Sequence, residues 1–229
     1  MTDALNILEL IIGITTVIIT FTAGFIELRL NPKNWLNRWF ALFFFSASFG
    51  FLTYAIYHLI TCSGCEPIVI SIMILAQIFF NFISISLVMT VFTLEKSSKL
   101  AMSLKYLGTM MALFMLISFG YFVWPPSLDP YEYTQGIVDT ETPFYWFIFV
   151  NIVRIGLSIY VVYKYAMITR KTEGETKKRI QWFFISIIVI IIGLAINLIG
   201  GIAKLILIES LALILFNIGA ILIVKGFFM

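Results

Sequence analysis

The chain alternates between long apolar runs and short polar connections. Seven runs are long enough to cross a hydrocarbon core about 30 Å thick, which takes about 20 residues of α-helix. They cover residues 5–28, 37–61, 68–93, 104–124, 143–167, 181–202 and 204–224. All six prolines fall between the runs or at their edges, where a missing N–H does not break a helix. The pattern predicts one all-α domain over residues 1–229, a bundle of seven continuous transmembrane helices.

Composition agrees with the hydropathy pattern. The 229-residue chain is 61% hydrophobic and only 12% charged, whereas soluble domains carry about 25% charged residues. We therefore expect a polytopic membrane protein whose surface contacts the lipid bilayer. The net charge of +3 gives no reason to expect nucleic acid as a partner.

Basic residues lie on one side of the predicted bundle. Thirteen of the fifteen Lys and Arg residues fall in the first, third and fifth connections or after the last run. The two others are Arg154, inside the fifth run, and Lys204. Because basic connections stay in the cytoplasm, we expect the N-terminus outside, the C-terminus in the cytoplasm, and a multi-pass protein of the cell membrane.

The residues needed for common membrane enzymes are scarce. The chain has one histidine, His58, and two cysteines, which excludes zinc hydrolases with several histidine ligands and argues against a buried catalytic triad. Lys225 lies at the end of the seventh run, where it reaches the headgroups, so we do not expect a retinal pigment. We find no catalytic motif and expect no enzyme activity, no cofactor and no resident metal.

The segment "HLITCSGCEP" holds His58, Cys62 and Cys65 at the end of the second run. Three interpretations remain open for the C-x-x-C pair. The cysteines form a structural disulfide or stay as thiols, they exchange electrons with a quinone or dithiol, or they bind a metal with His58 and Glu66.

Arg154 lies in the middle of "FVNIVRIGLS", near the expected bilayer midplane, where a charge costs roughly 2.5–3.5 kcal/mol on insertion scales. We expect it to face the bundle interior. In one interpretation it forms a buried structural pair with Glu209, supported by interhelical amides. In the other it belongs to a ligand pocket in the outer half of the bundle. The floor of that pocket would be Arg154, Gln77, Asn81 and Asn217, with Tyr57, His58 and Glu209 nearer the mouth.

The longest outer connection is "PPSLDPYEYTQGIVDTET". Its runs YEYT and IVDT flank Gln135 and Gly136, which predicts a small β-hairpin that covers the pocket.

Two segments carry a family resemblance: "NRWFALFFFSASFGFLTYAIYHL" in the second run and "ETKKRIQWFFISIIVIIIGL" at the sixth. Together with the topology, they resemble the N-terminal seven-helix sensor region of prokaryotic histidine kinases. The resemblance implies a receptor-like protein that binds a small ligand and signals through cytoplasmic domains. The sequence ends at Met229 without kinase domains. Either the protein stands alone and signals through a separate cytoplasmic partner, or a catalytic part of a longer chain was left out. The alternative is a small transporter or an accessory membrane subunit, and a homodimer is a further alternative for the assembly.

Overall fold

The computed structural model describes residues 2–136, 138, 140–203 and 206–228, with side chains described there except at residues 2–9, 197, 201, 202, 206 and 209. The described elements are α1 (Thr2–Leu30), α2 (Trp35–His58), α3 (Glu66–Glu95), α4 (Ser98–Ala101), a π-helical turn (Leu104–Gly108), α5 (Thr109–Val123), β1 (Ser127–Leu128), α6 (Pro130–Thr134), β2 (Thr140–Glu141), α7 (Phe144–Lys171), α8 (Gly174–Ala203) and α9 (Ile206–Phe227).

Seven helical segments in the described ranges are long and apolar enough to cross a membrane. Six of them lie in α1, α2, α3, α7, α8 and α9, and the seventh runs from α4 through the π-helical turn to α5. Many large apolar side chains remain exposed, among them Ile18, Phe119 and Ile159 at about 60%. Contiguous apolar surface on this scale is suited to lipid, so the chain is a multi-pass membrane protein.

Six of the long helices form a ring. Helices α1, α2, α3, α7, α8 and α9 each pack against the next, and α9 closes the ring against α1. Buried side chains from all six helices meet in one apolar core, which includes Phe40, Phe44, Leu87, Tyr165 and Phe216. The ring order places α3 directly beside α7.

Helix α5 lies outside this ring. It packs against α3, and its Ile117 and Tyr121 join a second apolar cluster with Ile74, Trp146 and Val150. Gly120 makes the approach possible because a Cβ atom there would overlap the indole ring of Trp146. This contact leaves a polar strip of α3 enclosed between α5 and α7.

Helices α8 and α9 form a tightly packed antiparallel pair. A Cβ atom at Gly193 would lie 2.9 Å from the carbonyl oxygen of Ala212, and one at Gly219 would lie 3.0 Å from that of Ser186. Small residues at a helix interface let the two backbones approach closely, which favours packing within a membrane.

The two ends of the bundle differ in chemistry. Cys62 and Cys65 form a disulfide in the α2–α3 connection. We call the end that holds residues 59–65 and 124–136 the disulfide end, and the opposite end, with residues 31–34 and 172–173, the basic end. Helix α2 stops at His58, three residues before the predicted boundary, because the N–H groups of Leu59 and Ile60 turn back to the carbonyls of Ile56 and Tyr57.

At the basic end, the predicted connection between residues 167 and 181 is mostly helical. Helix α7 continues to Lys171 and α8 already begins at Gly174. Glu, Lys and Arg are good helix formers, so the charged segment extends both helices beyond the apolar part.

The hairpin predicted around Gln135 and Gly136 is wrong in detail. The YEYT segment lies in α6, and the two-stranded sheet pairs Ser127 with Glu141 and Leu128 with Thr140. Asp129 explains the difference, since its side chain accepts hydrogen bonds from the N–H groups of Tyr131 and Glu132 at 2.8 and 3.1 Å. An N-cap followed by Pro130 at the first helical position favours a helical turn over a strand. Ile137 and Asp139 of the predicted second strand lie outside the described residues.

Candidate functional site

Arg154 lies ten residues after Phe144, the first residue of α7, which corresponds to about 15 Å along the helix axis. The side chain is half-buried and points to α3. Its Nε donates a 3.0 Å hydrogen bond to Oδ1 of Asn81. One Nη nitrogen donates to the side-chain oxygen of Gln77 at 2.9 Å and to its backbone carbonyl at 3.3 Å.

The amides that accept these bonds are themselves held by α5. Asn81 is fully buried, and its Nδ2 donates to the carbonyl of Ile117 at 3.1 Å and to the hydroxyl of Ser118 at 3.2 Å. The hydroxyl of Tyr121 donates to Oε1 of Gln77 at 3.2 Å. A polar cluster of Arg154, Gln77, Asn81, Ser118 and Tyr121 therefore connects α3, α5 and α7. We call it the arginine cluster.

The charge of Arg154 has only neutral acceptors in its described hydrogen bonds. Among the described side chains, no carboxylate oxygen lies within 4.0 Å of the Arg154 guanidinium. The ion pair among these side chains joins Lys164 and Glu95 at 2.9 Å. The side chain of Glu209, the predicted counter-charge, lies outside the described part of the chain. A guanidinium in apolar surroundings is stabilised by an anion more strongly than by amides.

A second hydrogen-bond donor lies next to the arginine cluster. The indole of Trp146, two helical turns before Arg154 on α7, is 6% exposed and packs edge-on to Tyr121. Its Nε1 has no hydrogen-bond partner among the described residues. A buried N–H without an acceptor costs free energy, so Trp146 offers a donor to a ligand with an oxygen atom.

The other predicted pocket residues lie elsewhere. Asn217 donates a 2.9 Å hydrogen bond to Thr16, between α9 and α1. Tyr57 belongs to an apolar cluster at the disulfide end, with Val69 and Tyr133. His58 stacks on the rings of Tyr54 and Tyr57, and its Nδ1 lies 2.8 Å from the carbonyl of Tyr54. The described structure thus brings together Arg154, Gln77 and Asn81 of the predicted set.

Two further polar features were not predicted. Ser118 and Tyr121 occupy one face of α5 at a spacing of three residues, next to the Gln77–Asn81 pair at a spacing of four; these helical spacings were the available signal. Glu27 of α1 is fully buried, and Nδ2 of Asn37 donates to its Oε2 at 3.2 Å. An acidic residue inside the run "FIELRL" was the signal in that case.

The loop at the disulfide end covers the α2–α3 connection. The hydroxyl of Tyr133 in α6 donates a 2.9 Å hydrogen bond to the carbonyl of Cys62. Among the described residues, no group of three or more His, Cys, Asp and Glu side chains is arranged to hold a metal ion. With their sulfur atoms bonded to each other, Cys62 and Cys65 cannot act as thiolate ligands.

No model of a known protein family matches this sequence, and no curated protein matches it either. The arginine cluster is therefore interpreted from its own chemistry.

Proposed function

We propose that the protein is a seven-helix, receptor-like sensor that binds a small ligand with a carboxylate or carbonyl group at the arginine cluster. The observation that carries the proposal is the pairing of Arg154 with neutral amides alone among the described side chains. A guanidinium binds a carboxylate through two parallel N–H···O bonds. The N–H of Trp146, which has no partner among the described residues, supports the same class of ligand.

The positive-inside distribution supports a cytoplasmic basic end and an external disulfide end. In this orientation the arginine cluster lies in the outer half of the bundle. Since it connects α3, α5 and α7, a ligand that replaces an amide at Arg154 changes the contacts among three helices. Helices α3 and α7 are joined again near the basic end by the Glu95–Lys164 pair. We infer that this pair transmits the change to a cytoplasmic signalling partner.

Binding is tested with the full chain in lipid nanodiscs, by thermal unfolding in a series of small carboxylates and their neutral amides. We expect at least one carboxylate to raise the melting temperature of the wild type and to have no effect on Arg154→Gln. A ligand at 100 times its Kd stabilises the folded state by about 2.7 kcal/mol. Arg29→Gln is the control because Arg29 is exposed near the basic end of α1. Equal responses of the two variants would contradict the proposal.

A double-mutant cycle distinguishes the proposed function from the structural alternative, a buried Arg154–Glu209 pair. If the two side chains form a buried pair, Arg154→Gln destabilises the protein and Glu209→Gln partly restores it, since each single change leaves one charge alone. Under the proposed function the two changes are additive. Melting temperatures of both single variants and the double variant decide between these outcomes.

A transporter is the second candidate, because the fourth spanning segment begins irregularly. A π-helical turn, Leu104–Gly108, precedes α5, and π-helical turns are frequent at functional sites. Uptake of a labelled carboxylate into proteoliposomes, lost in Arg154→Gln, would favour transport over sensing.

A further inference from the structure

The disulfide of Cys62 and Cys65 is accessible from one side. Cys62 is exposed, whereas Cys65 is half-buried at the start of α3. The two residues belong to a tight turn in which the N–H of Cys65 donates to the carbonyl of Cys62 at 3.1 Å. Gly64 has a φ of 81°, which residues with a side chain rarely adopt. An incoming thiolate therefore meets Cys62 before Cys65.

The two sulfur atoms also differ as leaving groups. Cys65 is the N-cap residue of α3, and its carbonyl accepts hydrogen bonds from the N–H groups of Ile68 and Val69 at 2.9 and 3.1 Å. Because the N-terminus of a helix carries a partial positive charge, a thiolate is more stable there than in an ordinary loop. Attack on Cys62 releases the thiolate of Cys65 at that favourable position.

The turn has support that does not depend on the S–S bond. Tyr133 is buried, and its hydroxyl donates to the carbonyl of Cys62 at 2.9 Å. Burial raises the pKa of this hydroxyl, and the negative charge of Glu66 raises it further, so the phenol remains a donor at neutral pH. We expect the Cys62 backbone to stay in place when the disulfide opens, so that the bond can form again.

We propose that the Cys62–Cys65 disulfide is a thiol–disulfide exchange site that oxidises an external dithiol, such as a cysteine pair of another protein. One thiolate of the dithiol attacks Sγ of Cys62, a mixed disulfide forms, and the electron pair of the broken S–S bond goes to Sγ of Cys65, which takes up a proton. The partner's second thiolate then attacks the partner sulfur that is bonded to Cys62. Cys62 leaves as a thiolate and takes up a proton. The partner gains a disulfide, and the chain gains two electrons and two protons.

Glu66 tunes this reaction. Its carboxylate follows Cys65 directly in the first turn of α3, where a negative charge disfavours the leaving thiolate. We expect Glu66→Gln to accelerate the opening of the disulfide by about two- to fivefold, the range that corresponds to a charge near a helix terminus.

The test incubates the full wild-type chain in nanodiscs with reduced glutathione and quenches the reaction with iodoacetamide. We expect glutathione on Cys62 and the alkyl group on Cys65 at least tenfold more often than the reverse, as measured by mass spectrometry of the peptides. Dithiothreitol is expected to reduce the disulfide in the wild type and in Glu66→Gln without a change in the melting temperature of the protein. The reduction is expected to be faster in Glu66→Gln. Equal reactivity of the two cysteines, or a wild-type disulfide that dithiothreitol opens only when the protein unfolds, would overturn the proposal. Because neither result involves Arg154, this test is independent of the ligand experiment.

Discussion

At the scale of single residues, Asn81 controls how the charge of Arg154 is balanced. Its Oδ1 accepts a hydrogen bond from Nε of Arg154, while its Nδ2 donates to the carbonyl of Ile117 and the hydroxyl of Ser118 on α5. A carboxylate at this position would lie within hydrogen-bond distance of the guanidinium. It would also lose the two bonds that the amide donates to α5.

We therefore expect Asn81→Asp to remove the stabilisation by added carboxylates, since an internal anion then occupies the guanidinium. The carboxylate strengthens the existing bond from Arg154, but it gives up the two bonds that the amide donates to α5, each worth about 0.5–1.5 kcal/mol. Thermal unfolding with and without carboxylate measures both effects. Asn34→Asp is the control, because Asn34 caps α2 at the basic end, away from Arg154, and aspartate is an equally good N-cap. A full ligand response in Asn81→Asp would contradict the proposed site.

At the scale of elements, the contact of α5 with α7 depends on Gly120. A Cβ atom there overlaps the ring of Trp146, so Gly120→Ala is expected to destabilise the protein by about 1–3 kcal/mol, the usual cost of overpacking. Gly156→Ala on α7 is the matched control, because its Cβ meets nothing within 4 Å and alanine favours a helix. Chemical unfolding of both variants makes the comparison. Similar stabilities would argue against the position of α5.

Helix α6 depends on the cap at Asp129. We expect Asp129→Ala to cost the turn about 1 kcal/mol and Asp129→Asn to retain most of its stability, because asparagine is an equally good N-cap. Hydrogen exchange of the backbone amides in residues 131–136 reports the loss of local structure. Equal exchange in the alanine and asparagine variants would show that the cap is not needed.

The sequence predicted depth along a helix better than direction around it. Gln77, Asn81 and Asn217 were predicted to form the floor of one pocket with Arg154, and Gln77 and Asn81 do contact it. Asn217 instead bonds to Thr16, since the ring order puts α9 between α1 and α8. Hydropathy does not encode that order, nor the position of α5 outside the ring. The hairpin prediction at YEYT did not take into account the N-cap at Asp129 and Pro130 after it, which start a helical turn.

At the scale of the whole molecule, the proposed orientation rests on the distribution of basic residues. Cysteines introduced at Lys177 and Lys178 are expected to react with membrane-impermeant reagents from the cytoplasmic side only, and cysteines at Tyr133 or Gly136 from the outside only. Labelling in intact cells and inverted vesicles, in a Cys62→Ser, Cys65→Ser background, measures this. Labelling of both sites from one side would contradict the seven-span arrangement, because α7 alone lies between them.

The close approach of α8 and α9 has a consequence for the behaviour of the protein under force. Their backbones approach each other at Gly193 and Gly219, where there is almost no room for a Cβ atom. When a cantilever pulls on Phe228, α9 has to slide along α8 before it leaves the bilayer. We expect the pair to be extracted in a single rupture, so that the first force peak of an atomic-force trace corresponds to two helices. Gly219→Leu should divide that peak into two smaller ones. The leucine side chain pushes α9 away from α8, so the two helices then leave the bilayer one at a time.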